Sequence, residues 1–370
     1  MKKLTALVLT MSMVVSLAGC SSGGGSTTAA GSSGSDTSSQ ATEAVTEATE
    51  AAKESSGKDE GFTIGIAFAN ENGARWHYDE KFMVQTIEEA GGKALVQWAN
   101  YDQTKQENQV DNLITQGIDA LILIAVSSNM SATVEKVKEE GIPVVCYDNF
   151  VENAPLDAYL DRDNVEAGRI QMQAAMDAIG GKGKIAVIHG EPTSSVVLGM
   201  KKGYDEVLAS YPDVEVVLEQ YCESYSAEKA LKYAENALSA NNDDIQAIVC
   251  TADVLTLGIL PALESAGLAG QVFLTGMDCE VAAMQAVNKG SIGVDIWTEI
   301  DVCATEAAKA AIALVKGQPV DYDEMIDNGD YKVPKKYVPI VGVTKDNIEE
   351  WATQIAPEGW ITMEQIQGEQ

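Results

Sequence analysis

Histidine is almost missing from this chain. His77 and His189 are the only two in 370 residues, and neither has a partner at metal-ligand spacing. Cations are scarce too, with 25 Lys and Arg against 56 Asp and Glu and a formal net charge of -31. That balance argues against a nucleic-acid partner and against direct docking on anionic lipid. Cysteine offers no framework either. With Cys20 set aside, Cys146, Cys222, Cys250, Cys279 and Cys303 remain, an odd number without paired spacing. Buried free thiols are the expectation, with one bridge left open. No stretch beyond residue 20 is apolar for long enough to span a bilayer.

Motifs of catalysis are also lacking. Gly180 to Lys184 reads Gly-Gly-Lys-Gly-Lys, but it lacks the spacing and the Ser/Thr of a phosphate loop and precedes a strand, so a tight turn is expected. Ser226 and Lys229 match Ser-x-x-Lys at a helix start, where capping is the better account. No nucleophile-base pair can be assembled, and no cofactor is implied. The chain does not read as an enzyme.

What is present begins at the amino terminus. Lys2 and Lys3 precede an apolar run from Leu4 to Leu17, and Leu17-Ala-Gly-Cys20 closes it. The layout resembles a bacterial lipoprotein signal, cut after residue 19 and lipidated at Cys20; the alternative is an ordinary secretory signal that happens to contain a cysteine. Either places the mature protein outside the cytoplasm, and the first attaches it to the cell membrane by lipid alone. Residues 21–60 are almost entirely Ser, Gly, Thr, Ala and Glu with Val45 as the one large apolar side chain, which predicts a disordered tether. About 40 flexible residues would hold the folded part roughly 35 Å from the lipid.

From Phe62 onward, apolar runs alternate with amphipathic helical patterns. Phe62–Ala69, Ala94–Trp98, Ala120–Val126 and Pro143–Tyr147 read as strands, with helices over Trp76–Ala90, Thr104–Gly117 and Ala132–Glu140. Thr104 with Glu107 fits a capping box. The pattern repeats with strands Lys184–Ile188, Val214–Glu219, Ile245–Cys250, Val272–Thr275 and Ile292–Ile296, helices between them, and an apolar helix over Ala304–Lys316. Continuous apolar strands between helices predict an α/β protein of two doubly wound parallel-sheet lobes, each of about five or six strands. Such sheets bind ligands beyond the carboxyl ends of their strands. That rule selects Asn70, Asp148 and Asn149, Glu191 to Ser195, Tyr225, Asp253, Asp278 and Trp297 to Glu299. Carboxylates and amides pair with hydroxyls and aromatic faces cover sugar C–H faces, so the row suits a neutral, hydroxyl-rich ligand.

These residues resemble the type I periplasmic binding proteins of sugar importers, in the xylose- and ribose-binding group. The likeness runs from Phe62 to about residue 355. It rests on Ile64-Gly-Ile-Ala67, Ala74-Arg-Trp76, Gln109 to Ala120, Gly141 to Asp148, Asp163-Asn164, Thr251-Ala-Asp253 and Gly276-Met-Asp278. The resemblance implies a Venus-flytrap closure of two lobes joined by three crossings, near 163, 298 and 328. Lobe one would be 61–162 with 299–327, and lobe two 163–298 with 328–370. It also implies that Arg75, Trp76, Asp148, Asp163, Tyr225 and Asp278 bind the ligand and that Asn164 lies at the hinge. Four positions depart from the family pattern while keeping their place in the expected site. Asn149 replaces arginine, Ser195 stands where amides or arginine are common, Ala252 precedes Asp253 in place of Asn, and Thr298 replaces lysine or glutamine. The implied partners are a monosaccharide or related polyol, xylose first, and an ABC transporter permease, with the protein a monomer. A sensor for a sugar-like signal, feeding a receptor kinase, is the alternative use of the same fold.

Overall fold

The computed structural model describes residues 61–368. Cys20 and the 20–60 tether lie outside them. Two parallel-sheet α/β lobes account for the described residues. The first is built from β1 (Thr63–Phe68), α1 (Ala74–Glu89), β2 (Lys93–Trp98), α2 (Gln103–Thr115), β3 (Ala120–Leu123), α3 (Ser131–Glu139), β4 (Val144–Tyr147) and β5 (Ala158–Arg162). The second holds α4 (Asn164–Ile179), β6 (Gly183–His189), α5 (Ser195–Leu208), β7 (Val214–Tyr221), α6 (Ala227–Ala240), β8 (Ala247–Cys250), α7 (Asp253–Ser265), β9 (Phe273–Met277), α8 (Val281–Lys289) and β10 (Val294–Thr298). The chain then returns through α9 (Ile300–Val315), β11 (Glu324–Asn328), β12 (Tyr331–Val338) and β13 (Ile340–Val343).

Strand order is β11-β12-β5-β4-β3-β1-β2 in one sheet and β13-β10-β9-β8-β6-β7 in the other. Every pairing is parallel except β11 with β12 and β10 with β13. The interior strands β1, β3, β4, β8 and β9 are apolar because helices cover the sheets: α1 packs beside α9, α4 beside α5, and α6 beside α7. The five described cysteines are buried free thiols.

The chain leaves the first sheet after Arg162, returns to the first lobe through α9, and leaves again between β12 and β13. The third crossing therefore falls at Pro339 rather than near 328, and residues 324–338 belong to the first sheet. The β11–β12 hairpin is charged and carries Pro334, so its sequence has none of the apolar continuity that marks the interior strands. β5 (Ala-Tyr-Leu-Asp-Arg) escapes the periodicity for a related reason: two buried charges occupy its end. The expected capping box at Thr104 is replaced by Asp102, whose Oδ1 accepts the Lys105 amide at 2.9 Å. Gly180 takes the left-handed conformation that ends α4 (φ 67°), as the tight-turn reading requires.

Candidate ligand-binding site

The carboxyl ends of the two sheets face one cavity, partly open to solvent. Several of its walls are set by backbone that ordinary residues seldom adopt. Tyr101, Asp148, Tyr225 and Asp278 have φ of 57°, 61°, 51° and 111°, each just past the end of a strand or at the turn after it. Holding such residues in this region costs about 1–3 kcal/mol apiece, and strain of that kind collects where side chains must be aimed.

A charged network forms the floor. Arg75, in the first turn of α1, is nearly fully buried and donates from Nη2 to Asp148 Oδ1 at 2.7 Å and from Nε to Asp79 Oδ2 at 3.2 Å. Its Nη1 lies 3.5 Å from Asp278 Oδ1. Arg162, at the end of β5, donates from Nη1 to the same Asp148 Oδ1 at 2.7 Å. Burial pushes the Asp148 carboxyl up, but the two guanidiniums outweigh it and hold the group below its ordinary range. Asp278 and Asp79 behave differently: burial raises each to about 7, with Arg75 pulling down against it. Tyr147 donates to Asp79 Oδ1 at 2.9 Å, and Tyr159 donates to the Asp148 carbonyl at 2.9 Å, which fixes the network from below.

Aromatic residues form the upper wall. Tyr225 stacks on Tyr101 from the opposite lobe, with centroids 5.6 Å apart and planes 22° apart. Trp76 lines the same cavity with the Arg75 guanidinium 4.6 Å above its ring. Tyr101, three residues past the end of β2, was not among the residues selected from sequence.

Several hydrogen bonds cross the cleft, two groups of them at its rim. Asn149 Oδ1 accepts from the Ser195 amide at 2.7 Å and the Ser195 hydroxyl at 2.9 Å, and Ser195 Oγ accepts from the Phe150 amide at 2.6 Å. On the other side Glu280 Oε1 accepts from the Ala74 amide at 3.0 Å. Gly73 has no side chain to cap α1, so the cap comes from the second lobe.

The structure brings together Arg75, Trp76, Asp148, Asn149, Tyr225 and Asp278 on the cavity wall. Four expected contacts lie elsewhere. Asp163 caps α4, accepting the Val165 and Glu166 amides at 3.0 Å each. Ser195 is spent on Asn149, while its neighbours Ser194 and Val196 reach the cavity. Asp253 points back into the second lobe, where its Oδ2 accepts the Glu280 amide at 2.8 Å. Thr298 is buried at the end of β10 and is not part of the wall. Trp297 does not face the cleft either: it is fully buried, edge-on to Trp351 and Trp360 at 5.4 and 5.0 Å. Asn164 sits at the β5–α4 junction, its amide donating to Asp161. Arg162 was missed because it ends β5, a strand that the apolar pattern does not reveal. Charge sign in an otherwise apolar strand was the signal available.

The periplasmic binding protein domain model matches residues 64–319. The D-xylose-binding periplasmic protein of Escherichia coli is 32% identical over 291 residues, covering 78% of this chain and 88% of that relative. A xylitol-binding protein of Mycolicibacterium smegmatis is 32% identical over 252 residues, covering 68% of each. Among solved structures, an ABC transporter solute-binding protein from Clostridium phytofermentans with bound β-D-glucose superposes with a TM-score of 0.74 at 22% identity, covering 82% of this chain and 99% of that one.

Proposed function

Since the chain belongs to the periplasmic binding protein domain family, a family of sugar-binding receptors rather than enzymes, we propose that it captures an uncharged pentose or related polyol between its lobes, D-xylose first, and delivers it to an ABC transporter permease. The observation that carries this is the pairing of the cavity's two guanidiniums with buried carboxylates. Both guanidiniums face carboxylates that compensate their charge. Asp278 Oδ1 has no hydrogen-bond donor among the described residues, and Asp148 Oδ2 takes no hydrogen bond from them. Unpaired acceptors beside aromatic faces are what ring hydroxyls and C–H faces require. The relatives named for D-xylose and xylitol support a five-carbon skeleton. Asn164, beside the Asp163 cap, serves as a hinge residue in this reading, and the protein acts as a monomer.

A thermal-shift panel of D-xylose, xylitol, D-ribose, D-glucose, myo-inositol and D-glucuronate tests it. A true ligand binds only the folded, closed form, and at a hundredfold excess over Kd it stabilises by about 2.7 kcal/mol. D-xylose or xylitol should raise Tm most and D-glucuronate not at all. A shift with the anionic sugar alone would reject a neutral ligand.

The anchor belongs to the same reading, supported by Leu17-Ala-Gly-Cys20. In its native host the protein should sediment with membranes, and Cys20→Ala should appear in the soluble fraction or as unprocessed precursor. Intact mass without lipid on wild-type protein would remove the tether from the account.

A further inference from the structure

Two carboxyls that the cavity does not use lie behind its wall in the second lobe. Asp253, which opens α7, and Asp295, in β10, are both completely buried. A Cβ placed on Gly276, in the strand between them, would lie 2.4 Å from Asp253 Oδ1 and 2.6 Å from Asp295 Oδ2, so these two oxygens converge on one spot. Neither has a donor among the described residues. Their other oxygens hold one short segment: Asp253 Oδ2 accepts the Glu280 amide at 2.8 Å, and Asp295 Oδ1 accepts the Cys279 amide at 3.2 Å and its thiol at 3.6 Å. The titratable groups facing the pair are Asp278, Cys279 and Glu280 from the β9–α8 turn and Cys250 from the end of β8, none of them a cation.

Two buried carboxylates this close disfavour each other's charge, and one proton held between them relieves both the repulsion and the missing donor. We propose that Asp253 and Asp295 share one proton, and that this proton fixes residues 278–280 and so positions Asp278 at the cavity and Glu280 at the α1 cap. The inference rests on the proposed ligand reading only for its effect on sugar affinity. Burial, and then the Asp295 carboxyl beside it, drives the Asp253 group well above its ordinary range, while burial pushes Asp295 up to about 6. The folded state thus keeps a proton that the unfolded chain releases near pH 4. The stabilisation is complete below about pH 4 and is lost progressively as pH rises toward the folded-state value of the pair. Asparagine at 295 can donate to Asp253 Oδ1 without any proton to lose.

The test uses the full chain with Asp295→Asn and Asp295→Ala. Infrared difference spectra at about pH 8.5, where an ordinary carboxyl is ionised, should show a protonated-carboxyl carbonyl band in wild type that is gone in Asp295→Asn. Between about pH 7 and pH 8.5 the wild-type Tm should fall more steeply than that of Asp295→Asn. Hydrogen-exchange protection at the Cys279 and Glu280 amides should drop about tenfold in Asp295→Ala and stay within about threefold of wild type in Asp295→Asn. D-xylose affinity should follow the same order. No carbonyl band together with superimposable Tm profiles would overturn the shared proton. Unchanged protection in Asp295→Ala would overturn the positioning role. If D-xylose fails to bind wild type while band, profile and protection behave as described, the shared proton stands and the ligand assignment falls.

Discussion

Asp148→Ala is expected to abolish sugar capture and to lower folding stability by about 3–5 kcal/mol, the loss typical of breaking a buried ion pair on one side. One oxygen of this side chain accepts from both Arg75 and Arg162, and all three groups are buried. Without it Arg162 keeps only a 3.5 Å contact to Asp161, and Arg75 keeps Asp79 and the longer contact to Asp278. Two cations are then left with too little negative charge in an enclosed site. Asp148→Asn should be intermediate, because its amide oxygen can still accept while the charge is gone. Denaturant titration gives the stability and calorimetric titration the affinity. Wild-type values for both in Asp148→Ala would show that the guanidiniums are neutralised by other groups and that the cavity floor is misassigned.

Trp297→Ala is expected to cost about 3–5 kcal/mol of stability and to leave the affinity of the surviving folded protein nearly unchanged. Its indole is fully buried against Trp351 and Trp360, both from the C-terminal segment that closes the second lobe. Trp76→Ala should do the reverse, weakening binding about tenfold or more with a smaller stability loss, since this ring is half-buried on the cavity wall. Sugar-induced fluorescence change should accordingly vanish with Trp76 and survive Trp297→Phe. Loss of the signal in Trp297→Phe alone would place that indole in the binding event.

The contrast shows what strand-end reasoning can reach. Alternating apolar runs and helical faces made the parallel sheets legible from β1 to β10, because strands buried on both faces leave an apolar record. β5 and the strands from β11 onward left none, being charged, short or at a sheet edge, and the third crossing was misplaced with them. In the site, residues whose side chains follow the strand into the cleft were found: Arg75, Trp76, Asp148, Asn149, Tyr225 and Asp278. Asp253, Thr298 and Trp297 also follow apolar runs, but their side chains turn into the second lobe. Sequence position fixes the end of a strand, whereas one residue of register decides which way a side chain points. The role of Arg162 depends on Asp148, just past the end of the adjacent strand and 14 residues away, a pairing that no local pattern shows.

The helix cap that Glu280 lends to α1 makes sugar affinity a property of the unliganded protein as well. An N-cap contributes about 0.5–2 kcal/mol, and this one is made only when the lobes meet. Opening the cleft forfeits it, so this one contact favours closure of the empty protein by at most roughly 2- to 30-fold before any ligand arrives. Apparent affinity scales with the population already competent to bind. Selection could therefore adjust how tightly this receptor holds its cargo by altering one acid and one amide, with every group that touches the sugar left as it is.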